Sequence, residues 1–208
     1  LFVGGCDGKQ MILLLIAAIG AFVLLAVIEP YRMARLTSFT DPWKDPLGTG
    51  YQLIQSFYAI GSGGLFGRGL NNSRQKLLFL TYGESDFIFA VVCEELGFFG
   101  ALAILLAYGF IIYRGIRVAL RCRDRFGSLL AAGITVVFAI QIFVNIGVVT
   151  GAFPTTGQAL PFISAGGSSM VIFLAAMGVL LNISRSTEGS MQPVVRAAFR
   201  RRPSAVSE

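Results

Sequence analysis

No histidine occurs in these 208 residues. Ser-His-Asp and Cys-His catalysis are therefore excluded within the chain, as is any metal site with histidine ligands. Charge is scarce too. Only 13% of residues are Asp, Glu, Lys or Arg, roughly half the share of soluble globular domains. There are three cysteines. Cys93 falls inside an apolar run, and Cys6 and Cys122 fall on the side assigned below to the cytoplasm, so no disulfide framework is expected. Acid-base work then falls mostly to carboxylates.

What is present is apolar: 55% of the chain is hydrophobic. Uncharged runs at 11–28, 87–113, 126–150 and 166–184 are each long enough to cross roughly 30 Å of hydrocarbon. Only Glu94 and Glu95 interrupt the second. The expected fold is all-α, a polytopic membrane helix bundle of about four transmembrane helices rather than a barrel. The first run lacks a small-residue cleavage site and does not read as a signal peptide. Residues 1–10 read as an interrupted cytoplasmic segment, and the four helices as part of a larger bundle.

Arginine sets the expected orientation. Residues 114–125 hold Arg114, Arg117, Arg121, Arg123 and Arg125, and the tail 185–208 holds Arg185, Arg196, Arg200, Arg201 and Arg202. Both segments are expected in the cytoplasm, which leaves the loops 29–86 and 151–165 outside. The net charge of +6 is thus mainly a topology signal, and no nucleic-acid partner is expected.

The loop 29–86 carries turn signals. Asp41-Pro-Trp-Lys-Asp-Pro-Leu-Gly-Thr-Gly50 reads as successive turns, and Trp43 and Tyr51 favour a membrane–water interface. Residues 51–60 predict a short amphipathic helix with Leu53, Phe57 and Ile60 on its apolar side and Gln52, Gln55 and Ser56 among its polar positions. It is too short to span, so it is expected to lie at the interface or re-enter. Gly61-Ser-Gly-Gly-Leu-Phe-Gly-Arg-Gly69 follows. Its backbone can approach a ligand closely, its amides can meet an anion, or it is simply a flexible turn. It lacks the Gly-Lys-Ser/Thr ending of a P-loop. Arg68, Arg74 and Lys76 can hold a lipid phosphate or stand as exposed loop charges.

Carboxylates then enter the second apolar run, and an ionised side chain inside a bilayer marks a functional site by default. Asp86 sits at the junction of loop and helix, where it can act as a base or cap the helix. On a straight helix Glu94 lies about 80° round from Asp86 and about 12 Å along, and Glu95 about 180° round. Paired carboxyls of glycoside chemistry sit roughly 5 to 9.5 Å apart. A single base, Asp86, is therefore the simpler expectation, with Glu94 and Glu95 binding donors on neighbouring helices. Ala90, Cys93, Gly97, Gly100 and Ala101 form a small-residue packing face. Gln141 and Asn145, at i and i+4, are expected to hydrogen-bond between helices or to touch substrate. In the last loop, Pro154 and Pro161 end regular structure. Ser168 and Ser169 open the final helix, where they cap it or expose amides to an anion.

Taken together, these blocks resemble the C-terminal part of the FtsW/RodA/SpoVE family, the SEDS proteins of bacterial cell-wall synthesis. The resemblance is carried by Asp41-Pro-Trp-Lys-Asp-Pro-Leu-Gly-Thr-Gly-Tyr-Gln52 with Gln55-Ser56, and by Gly61-Ser-Gly-Gly-Leu-Phe-Gly67. It continues in Asp86-Phe-Ile-Phe-Ala90 with Glu94-Glu-Leu-Gly97, and in Pro154-Thr-Thr-Gly157 with Leu160-Pro-Phe-Ile-Ser164 and Gly166-Gly-Ser168. Trp43 and Tyr51-Gln52 resemble the FtsW and SpoVE branch more than RodA. Leu80-Thr-Tyr-Gly-Glu-Ser85 and Ala165 depart from the family pattern.

The resemblance implies a fragment of a roughly ten-helix fold in the bacterial cytoplasmic membrane. It implies an inverting peptidoglycan glycosyltransferase that polymerises lipid II in division or sporulation, with Asp86 as catalytic base. Gln55, Ser56, Arg68, Arg74, Lys76, Ser164 and Ser168 are the expected substrate contacts. Positive charge from the basic residues or from a divalent cation suits the leaving diphosphate, and no other cofactor is implied. A class B penicillin-binding transpeptidase and other division or elongation proteins are the implied partners. A lipid II flippase and a non-catalytic scaffold for the transpeptidase remain as alternatives.

Overall fold

The computed structural model describes residues 7–28, 39–70, 73 and 86–189. Among them the regular structure is helical. Helix α1 is Gly8–Ile28, α2 is Tyr51–Gly63, α3 is Ile88–Arg121, α4 is Arg125–Val149 and α5 is Gly167–Gly189, with a single 3-10 turn at Pro42–Lys44. Three of the described helices, Ile88–Arg121, Arg125–Val149 and Gly167–Ser186, are long and apolar enough to cross a membrane. α1 is 21 residues long, about 32 Å at 1.5 Å per residue. Its Ile12 to Ile16 are 55–69% exposed.

The largest difference from the sequence expectation lies in 114–125. That stretch is not a loop: α3 continues to Arg121, and only residues 122–124 turn before α4. Arginine is a good helix former, and the extra turns have packing to hold them. Gly115 is buried so closely against Thr135 that a Cβ would strike the threonine hydroxyl. Ala119 packs with Ala131 and Leu180. α5 likewise continues to Gly189, past residue 184, and the helix expected at 51–60 extends to Gly63.

The core lies between α3 and α4, with α2 across the end nearer Asp86. Phe138, 1% exposed, is its aromatic hub and meets the rings of Tyr108, Phe162 and Phe173 at centroid distances of 6.0, 5.6 and 5.9 Å. Leu102, Leu106 and Phe110 of α3, Val136, Val137, Ile140 and Phe143 of α4, and Val171, Ile172 and Leu174 of α5 point outward. Such an apolar exterior suits hydrocarbon rather than water.

α3 is not continuous. Gly97 has φ 68 and ψ −167 and breaks the helix. The glycine segment after α2 fills the break. Arg68 and Gly69 donate their backbone N–H groups to the carbonyls of Glu94 and Glu95, each at 3.0 Å. Phe98 and Phe99 donate theirs to Gly64 and Leu65 at 2.9 and 3.2 Å. A helix break leaves donors and acceptors orphaned, and here a second segment satisfies them. The amides of Gly67, Arg68 and Gly69 are all taken by protein carbonyls, so the glycines serve close approach to α3 rather than to an anion. A Cβ on Gly67 would strike the Glu95 carbonyl, and one on Gly97 would strike the Gly67 amide.

Gly97→Ala and Gly67→Ala should therefore each destabilise the bundle by about 2–4 kcal/mol, combining a positive φ with an overpacked contact. Gly109→Ala, with nothing within 4 Å of an added Cβ, should be neutral or stabilise by up to about 1 kcal/mol. Thermal unfolding of the detergent-solubilised variants is the measurement. Equal melting of all three would show that the interlock does not hold α3.

Candidate functional site

Asp86 stands one residue before the N-cap of α3, which is Phe87. Phe87 is 2% exposed and anchored in the core, so the backbone beside Asp86 is fixed while Asp86 itself remains half-buried. Among the described residues its carboxylate accepts no hydrogen bond, and it does not cap the helix. An added Cβ at Gly157 would lie 3.7 Å from Asp86 Oδ2. The bare backbone of Gly157, at the end of Pro154-Thr-Thr-Gly157, thus lies close to the carboxylate.

One side chain ties these parts together. Asn145 of α4, 1% exposed, donates through Nδ2 to the Asp86 carbonyl at 2.9 Å and to the Gln158 carbonyl at 2.6 Å. Two carbonyls fix the amide's orientation, since the flipped form would turn its oxygen on both of them. Asn145 Oδ1 is buried with no partner.

One turn earlier Gln141 donates to the Ala159 carbonyl at 3.1 Å. Gln141 and Asn145 therefore bind loop backbone rather than another helix, contrary to the expectation from spacing. The reason is that residues 151–165 do not stay outside the bundle. Tyr108 donates to the Pro161 carbonyl at 2.5 Å, and Tyr108 lies about 9 Å along α3 from Arg114. The loop folds back deep between the helices, where its carbonyls have no water to meet and need side-chain donors. Ser164 Oγ accepts the Leu160 N–H at 2.7 Å. Phe162, at φ 65, is the strained corner of this turn.

Glu94 forms a second cluster. It is 0% exposed, accepts from Ser73 Oγ at 2.6 Å and lies 3.7 Å from the Arg68 guanidinium. These two partners come from the segment after α2 and not from a neighbouring helix. Glu95 is half-buried, and its carbonyl receives Gly69.

Several expected substrate contacts change role. Arg68 is held against Glu94, so it does not stand free for a phosphate. Ser56 is fully buried and donates to the carbonyls of Leu53 and Val149 at 2.8 and 3.0 Å. It joins α2 to the end of α4 and does not face a ligand. Ser164 closes the loop turn. Gln55 is half-buried on α2, and Ser168 is exposed in the first turn of α5. Arg74 and Lys76 lie outside the described residues. Among the described residues no three His, Cys, Asp or Glu side chains converge as a metal site. Sequence reasoning missed Ser73, Tyr108 and the bond from Asn145 to Asp86. The only signal for the last was two polar residues one turn apart in an apolar helix.

A polytopic helical membrane protein that places an aspartate, unpaired among the described residues, beside a re-entrant glycine loop is the class defined so far. The model of the FtsW/RodA/SpoVE cell cycle proteins matches residues 1–189, and the chain belongs to that family. It is 51% identical over 185 residues to "Stage V sporulation protein E" of Bacillus subtilis (strain 168), covering 89% of this chain and 50% of that protein. It is 44% identical over 190 residues to "Probable peptidoglycan glycosyltransferase FtsW" of Geobacter sp. (strain M18), covering 91% of this chain and 52% of that one. These are the SpoVE and FtsW names to which Trp43 and Tyr51-Gln52 pointed. A chain in a solved peptidoglycan synthase complex superposes with TM-score 0.62 at 32% identity, over 86% of this chain and 51% of its own length. The chain spans about half the length of the relatives it matches.

Removing the clamp should loosen the loop without unfolding α4. Asn145→Leu leaves two buried carbonyls without a donor, each worth about 1–3 kcal/mol. Amide hydrogen exchange over residues 157–164 should accelerate at least about tenfold, with residues 125–140 unchanged. Unaltered exchange in 157–164 would show that the loop is held without this amide.

Proposed function

We propose that the full-length protein is a peptidoglycan glycosyltransferase of the bacterial cytoplasmic membrane, polymerising lipid II during division or sporulation, with Asp86 as general base. The observation that carries this reading is the state of Asp86. Its backbone is fixed on the helix side, by Phe87 in the core and by Asn145 on its carbonyl, while its carboxylate is half-exposed and unpaired among the described residues. A group that only stabilised the fold would be expected to have partners. The names of the relatives supply the reaction class.

The chemistry is a single inverting displacement. A hydroxyl on one lipid-linked sugar attacks the anomeric carbon of another, and Asp86 takes its proton as the new glycosidic bond forms. The bond to the lipid diphosphate breaks, and that group leaves as an anion. It needs positive charge more than a general acid. Arg74 and Lys76 are the basic residues for that role, since Glu94 holds Arg68, and a divalent cation carried with the diphosphate would add to them. Gly157 presents only backbone to the Asp86 carboxylate, so no side chain on that residue stands against it. A class B penicillin-binding transpeptidase is the partner we propose, because the similar solved chain belongs to a complex that couples polymerization and crosslinking. Other division or elongation proteins would join that assembly.

Asp86→Asn in the full-length protein, purified with its transpeptidase, should lower lipid II polymerisation by at least about 10²-fold. Membrane insertion and complex formation should be unchanged. Gel analysis of glycan strands reads the outcome. Retained polymerisation would remove Asp86 as the base. No polymer from wild type, together with movement of lipid II across liposomes, would replace the glycosyltransferase with a flippase. An intact complex with neither activity would leave a scaffold.

A further inference from the structure

At the end of the bundle opposite Asp86, six arginines surround one tight turn. Arg114, Arg117 and Arg121 follow one another at i, i+3 and i+7 on α3 and are all exposed. These positions fall within about 60° of one another on a helix. Arg123 and Arg125 lie in and just after the turn, and both are exposed. Arg185 stands at the same end of the bundle on α5, exposed and about 200° round that helix from Ile183. Ile183, two residues before it, lies with its Cγ2 3.7 Å from where a Cβ on Gly127 would stand. Among the described side chains, the carboxylate at this corner is that of Asp124, and it accepts the Gly127 N–H at 2.8 Å as the N-cap of α4. None of the six arginines pairs with a carboxylate among the described residues.

We propose that this arginine-lined corner is a binding site for the phosphate headgroups of anionic phospholipid. Three observations converge. First, the site is at the right depth. The exposed side chains of α3 are uncharged up to Tyr113, and over the next roughly 10 Å of helix, from Arg114 to Arg121, arginines alternate with exposed Ile116 and Leu120, a mixture of charged and apolar side chains that suits the boundary between hydrocarbon and headgroups. Tyr113 is half-exposed at that boundary, and the Arg117 guanidinium rests 5.0 Å from its ring centroid. Such a contact orients the cation at an aromatic belt.

Second, the residue type goes beyond what topology requires. Orientation in a membrane needs only positive charge, and lysine serves equally. Yet every basic residue after Lys76 is arginine. The planar guanidinium adds a forked set of donors that fits a phosphate in bidentate fashion. Third, the corner is rigid. The packing of Gly115 on Thr135 and of Ala119 on Ala131 and Leu180 fixes the helix ends that carry the arginines, so little ordering is needed on binding.

Each arginine near an anionic surface is worth roughly a fivefold preference. The test uses the full-length chain in detergent, titrated with phosphatidylglycerol or phosphatidylcholine and read by native mass spectrometry. Wild type should retain phosphatidylglycerol at least about tenfold in preference to phosphatidylcholine. Soluble glycerophosphate at matched concentration should not displace it, since the lipid is held by its chains as well. The triple variant Arg114→Gln, Arg117→Gln, Arg121→Gln should lose most of the preference while eluting as a single species of unchanged size. Should the triple variant aggregate, Arg117→Gln alone should still lose roughly fivefold. Equal retention of both lipids by wild type, an unchanged preference in the glutamine variants, or capture of an acidic peptide in place of lipid would each overturn the proposal.

Discussion

In hydrocarbon every backbone polar group must find its partner inside the protein, and the rest of this structure follows from that constraint. Among the described residues two places break the helical pattern within the bundle, and in each the freed backbone groups find partners in the protein. At Gly97 the glycine segment after α2 supplies both the missing donors and the missing acceptors. At 158–164 the seals are side chains: Asn145, Gln141, Tyr108 and the hydroxyl of Ser164. Both irregular stretches flank the site, and the regular helices serve mainly to hold those sealing groups in place.

The carboxylates illustrate how differently two acids close in sequence can be housed. Glu94 and Asp86 lie within three helical turns of sequence, yet one is wrapped and the other left open. Glu94 is fully buried, with a serine hydroxyl and a guanidinium on its oxygens. A buried charge is tolerated only when it is paired in this way. Asp86 is held through its backbone carbonyl, and its carboxylate accepts no hydrogen bond among the described residues. The same glycine segment that seals α3 supplies Arg68 to Glu94.

Much of the bundle was legible in the sequence because length and hydropathy decide whether a helix can span. The cysteine and histidine counts were sufficient to exclude whole classes of chemistry. The place of Asp86 at a loop–helix junction was legible, and its half-buried side chain one residue before the N-cap of α3 agrees with that place. The glycine segment was visible as a feature, but its role was not, because five glycines serve a ligand and a neighbouring helix equally well. The spacing of Gln141 and Asn145 identified two polar residues on one face without saying what they touch, since that depends on a loop whose depth leaves no periodic signal. The arginines after Tyr113 were read as a loop because charge marks the membrane boundary, while helix propensity carries α3 beyond it.

The direction of synthesis gives the two seals different histories. Ser73 and Arg68 precede Glu94 in the chain, so this buried acid enters the bilayer with its donors already made. Asn145 and Gln141 come before the carbonyls of Gln158 and Ala159 that they will hold. During biogenesis the α3 seam can therefore close as soon as its helix is threaded. Asp86 acquires its final setting only after the chain beyond α4 has turned back into the membrane.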